Sequence, residues 1–168
     1  MKRGWFTKVA VVLAMGILVI GSAFGTLARA EDHDASLTGT WLFQVSVENC
    51  STGALIGEPF NSLLTFNDDG TMTETAANPM FYPAERGPGH GVWSRAGEHS
   101  FKATSVAFIT LNGALQKLQT IAQTIEVTDR VSLKTTAANV KFMAPDGALL
   151  MEGCASATGQ RLGLEGFK

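Results

Sequence analysis

The residues best able to do chemistry crowd into one stretch, Asn78–Arg95, which reads NPMFYPAERGPGHGVWSR. It holds the only tyrosine, Tyr82, with Glu85, Arg86, His90, Trp93 and three of the five prolines. His90 beside Glu85 is a pair able to pass a proton, and Tyr82 is a phenol able to protonate an enolate-like oxygen. Together they would suit a cofactor-free isomerase or cyclase. Arg86 offers a charged donor for an anionic head group, while Met80, Phe81 and Tyr82 offer apolar contact. No nucleophile elbow, phosphate loop or metal spacing accompanies them. His33, His90 and His99 lie apart, so neither a metal nor a cofactor is expected. Glu74 has the parity of Met72 and Ala76; if it points inward it needs a partner.

These groups must be positioned by a chain of 168 residues, enough for one ordinary domain. Residues 1–30 read as a secretory signal peptide, helical in its apolar part. Lys2, Arg3 and Lys8 precede an uncharged run from Val9 to Phe24, and Ala28-Arg29-Ala30 follows. Residues 31–168 are then expected to fold as a single domain, secreted or periplasmic, with no membrane contact after cleavage. The first 30 residues contain four of the 13 Lys and Arg and none of the 15 acids, which leaves the remainder at −6. So acidic a body is a poor partner for nucleic acid. In an oxidising compartment, Cys50 and Cys154 are expected to form a disulfide.

From Leu37 onward the pattern has period two, broken by turn signals. Trp41, Phe43, Val45 and Val47 alternate with Leu42, Gln44, Ser46 and Glu48 in the first strand. Further strands are expected at 59–67, 71–78, 90–95, 100–111, 116–127, 131–143 and 148–158. Asp69-Gly70, Asn112-Gly113 and Asp146-Gly147 supply turn residues that tolerate positive φ. Residues 79–89, rich in Pro and Gly, read as a long loop. The segment ALQKLQTIAQTI fits either period, and its Thr and Ile favour strand. Eight antiparallel strands in an up-and-down meander point to an all-β closed barrel, since closure removes both sheet edges.

Closure makes the first and last strands neighbours. Setting Cys50 opposite Cys154 would place Arg161 beside Phe43, one diagonal step from Trp41. Trp41 and Arg161 would then share one face and the cysteines the other.

Those residues resemble the lipocalins and related calycin barrels. Thr38-Gly39-Thr40-Trp41 is similar to the glycine-x-tryptophan motif that opens their first strand. Arg161 stands where that family has an arginine stacked on the tryptophan to close the barrel floor. Thr128-Asp129 falls in the turn between strands six and seven, where lipocalins carry the same pair. The tyrosine that usually follows is replaced by Arg130, the first inter-strand loop is short, and seven residues after Arg161 leave no room for the usual C-terminal helix. The strand layout is also similar to that of small secreted bacterial proteins, a likeness that brings no activity with it.

What the resemblance implies is a cup for a small apolar molecule. With Trp41 inward, Leu149, Met151, Gly153, Ala155, Ala157 and Gly159 face the interior and leave room there. Phe101, Ala103, Ser105 and Ala107 face it from the fifth strand. Phe43, Trp93, Phe101 and Met151 are the expected apolar lining, and Tyr82 and Arg86 the polar contacts, with residues 78–91 at the mouth. Two other classes stay open: the rim enzyme built on His90, Glu85 and Tyr82, and a structural or interaction module with a solid core. No partner surface or oligomeric state is legible.

Overall fold

The alternation in the sequence becomes the inside and outside of a barrel. In the computed structural model, which describes residues 35–164, the first strand is β1 (Gly39–Glu48), with Trp41 and Phe43 buried and Gln44 exposed. The expected signal peptide and its helix lie outside the described residues. Next come β2 (Phe60–Phe66), β3 (Thr71–Ala76), β4 (Glu85–Arg95), β5 (Ser100–Leu111), β6 (Ala114–Val127), β7 (Ser132–Met143) and β8 (Leu149–Arg161). Each strand pairs antiparallel with the next, and β1 pairs with β8, so the sheet is a closed up-and-down barrel. Asn112 at φ 52° and Gly113 at φ 77° make the tight β5–β6 turn, the conformation that Asn-Gly accepts with least steric cost. The ambiguous ALQKLQTIAQTI is strand, within β6.

Two expectations need correction. β4 begins at Glu85 rather than His90, so the Pro/Gly run is a strand for half its length. It is tolerated because the register shifts between Arg86 and Gly89, a bulge that spares Pro88 a ladder hydrogen bond. The β3–β4 connection is therefore only residues 77–84, with a 3-10 turn at Pro79–Phe81. In the seam, Trp41 faces Arg161 directly and Glu48 faces Cys154. The expected register is off by two residues because Cys50 lies past the end of β1, and the disulfide reaches back diagonally with Cα atoms 5.1 Å apart. A shift of two keeps every side chain on its face.

One end of the barrel is solid. Leu37, Trp41, Phe66, Met72, Phe101 and Ile125 are almost fully buried there. Trp93 stands between Phe66 and Phe101, with ring centroids 6.1 and 5.8 Å away in edge-to-face contact. Trp41 Nε1 donates to the Leu37 carbonyl at 2.9 Å, and the Arg161 guanidinium lies 4.2 Å from the Trp41 ring centroid. Arg161 also donates to the carbonyls of Arg130, Thr38 and Ser36, binding the chain before β1 to the barrel. Arg161→Ala, which removes three charge-assisted bonds from a partly exposed position, is expected to cost about 2 kcal/mol. Urea unfolding of the variant checks this.

Gly91 on β4 shows how tightly the wall is built. A Cβ there would lie 2.0 Å from the Thr104 carbonyl oxygen and 2.7 Å from Ser105 Cα. Both are backbone atoms of the neighbouring strand and cannot step aside. Gly91→Ala is expected to destabilise by about 3 kcal/mol, the upper end for overpacking. Gly153→Ala, where a Cβ would meet nothing within 4 Å, should stay near wild type and serves as the control in the same unfolding experiment.

Candidate functional site

The other half of the barrel holds buried polar groups. Alternation along β3 turns Glu74 inward between Met72 and Ala76, and it is 4% exposed. Gly89 is its cross-strand partner on β4. A Cβ on Gly89 would come within 2.4 Å of Glu74 Cγ, so glycine is what lets the carboxylate pass over β4 toward β5. There Ser105 Oγ donates to Glu74 Oε2 at 2.8 Å. The bulge turns Arg86 into the same space, its side chain 3% exposed. Arg86 Nη2 donates to Glu74 Oε1, Nε to Gln119 Oε1 on β6, and Nη1 to the Gly87 carbonyl at 3.2 Å. Burial pushes the guanidinium down to about 10, so it stays charged at neutral pH. Four strands thus converge on one ion pair whose charges cancel.

Above this network lies a cavity of about 60 Å³. Its apolar wall includes Phe43, Phe60, Phe81, Ile121, Ala138 and Ala155, and the Glu74–Arg86 pair forms part of its boundary. Since a water needs roughly 10–15 Å³ of such space, the volume suits a few waters or a ligand of a handful of heavy atoms. The mouth connection supplies Asn78 and Phe81, and the Phe81 ring lies 6.3 Å from that of Phe142 on β7.

Of the residues singled out by sequence, the structure brings Phe43 and Arg86 to this cavity. Trp93 and Phe101 belong instead to the packed end, where they hold each other edge-on. Met151 sits opposite Phe142 at the rim, 54% exposed, and Tyr82 is 88% exposed. His90 and Glu85 are both exposed. The bulge is the physical reason: it resets the parity of β4, so Arg86 faces in before it while His90, opposite Val106, faces out after it. The acid–base trio is not assembled around the cavity. Arg86 does not wait for an anionic head group either, because Glu74 already occupies it.

The run of small residues on β8 divides in two. Ala155 borders the cavity, whereas a Cβ at Gly159 would lie 2.6 Å from Leu133 Cδ1, so that gap is filled. Gln119 and Gln123 were missed by the sequence reading; their signal is the shared parity with Ile121 along β6. Compared with protein-family models and with curated proteins, the chain matches none.

Proposed function

We propose that this is a secreted, lipocalin-like carrier that holds one small, mostly apolar molecule in the barrel cavity. The observation that carries the reading is the place of the Glu74–Arg86 pair. An ion pair taken out of water costs several kcal/mol per charge before its attraction repays it, and apolar filling of the same shape is often as stable or more so. A barrel needing only a solid core has no use for it. Here it borders open space beside a mostly apolar wall. The Trp41–Arg161 stack, the closed strand order and the disulfide fit the same reading, and cleavage of a leader near Glu31 is part of what is proposed.

Native mass spectrometry of freshly purified protein tests it. A bound molecule that leaves on denaturation is expected, and Ala155→Phe, which fills the cavity, should lose it. Saturation at a hundred times Kd should raise unfolding free energy by about 2.7 kcal/mol. A protein that never carries added mass, and whose stability no apolar probe changes, refutes the carrier.

A further inference from the structure

The cavity's polar groups are not equivalent, and the difference defines what they can bind. Arginine only donates, so the Gln119 amide must turn its oxygen toward Arg86 Nε. Its Nε2 is thereby aimed the other way and donates to no acceptor among the described residues. Gln119 is 7% exposed and lines the cavity. Among the described residues no buried side-chain nitrogen or oxygen sealed from solvent lacks a hydrogen bond, so this Nε2 borders open space. Asn78 repeats the arrangement at the mouth: its Oδ1 accepts from Met80 N at 2.9 Å, which leaves the amide nitrogen over.

The charged groups are closed to a ligand. Both Glu74 oxygens accept bonds, and Arg86 is the one cation among the described lining residues. An entering carboxylate would meet Glu74 in a low-dielectric space with no free positive charge to offset it. From this we infer that the cavity selects an uncharged molecule whose carbonyl-type oxygen accepts from Gln119 Nε2, and that it rejects carboxylates. The inference rests on the carrier reading and narrows it to small neutral ketones, aldehydes, esters or lactones.

Three probes of similar size separate the possibilities: cyclopentanone, methylenecyclopentane and cyclopropanecarboxylate. Each is titrated into the disulfide-bonded protein while NMR follows the Gln119 side-chain amide and the cavity residues. Cyclopentanone should bind about five- to tenfold tighter than methylenecyclopentane, the ratio one neutral hydrogen bond supports, and should shift the Gln119 Nε2 protons. Cyclopropanecarboxylate should bind more than tenfold weaker than cyclopentanone. In Gln119→Met the preference for the ketone should fall to near one. Equal binding of ketone and hydrocarbon, or tightest binding of the carboxylate, overturns the inference and leaves the carrier standing. An unchanged preference in Gln119→Met overturns the assignment to Gln119. If that variant does not fold, the wild-type ratio and amide shift decide alone. If none of the three perturbs a cavity resonance, the carrier reading fails too.

Discussion

Glu74→Ala is expected to lower the unfolding free energy by about 3–5 kcal/mol. The substitution strands the Arg86 guanidinium, 3% exposed, without its counter-charge and leaves Ser105 Oγ without its acceptor. Against a typical total of about 5–15 kcal/mol, that is a large fraction. Arg86→Met should cost a similar amount, since it leaves a buried carboxylate with Ser105 as its one donor. The double variant Glu74→Leu/Arg86→Met removes both charges and should recover most of the loss, because each single penalty is mainly an unpaired charge. Urea unfolding of the four proteins, with unchanged m-values, makes the comparison. A Glu74→Ala loss under about 1 kcal/mol would mean that cavity water solvates Arg86 well enough to replace Glu74.

The second large effect belongs to the disulfide. Cys50 and Cys154 are 104 positions apart, and closing a loop of that length restricts the unfolded chain by about 4–5 kcal/mol in the chain-entropy account. Cys50→Ala/Cys154→Ala should lose most of that. It should still fold, because eight register pairs from Trp41 to Glu48 continue to join β1 to β8. Unfolding curves under identical buffer measure the loss. Thiol titration of the wild-type protein in denaturant, without reductant, should find no reactive cysteine. A double variant as stable as wild type would locate the seam's strength in its hydrogen bonds and packing instead.

Much of this architecture was legible because period-two alternation and Gly-containing turns are local signals. Trp41 and Phe43 inside, Asn112-Gly113 at a turn and a closed order of eight strands followed from them. Parity also grouped Glu74 with Met72 and Ala76, where an acid pointing inward would need a partner. The partner stayed hidden because Arg86 lies in a Gly-Pro-Gly context that reads as loop. Only the pairing of Arg86 with Ile109 and of Gly89 with Ala107 reveals a bulged strand there. The same bulge put Arg86 and His90 on opposite faces of β4, so His90 ended up outside, while Tyr82 and Glu85 precede it and are exposed. Trp93 and Phe101 were correctly apolar, yet the height of a residue along the barrel axis is a property of register. Alternation gives the face of a residue and is silent about its depth.

The seam between β1 and β8 joins residues 106 to 120 positions apart, whereas every other ladder joins strands adjacent in the chain. Synthesis runs from the N-terminus, so the nascent polypeptide can complete six hairpin pairings, β1–β2 through β6–β7, while the outer side of β1 still waits for β8. During that interval the exposed amide and carbonyl row of β1 is a template for any passing strand. Aggregation hazard in this protein is therefore concentrated before synthesis of β8 is finished, and vanishes once the last strand is in place.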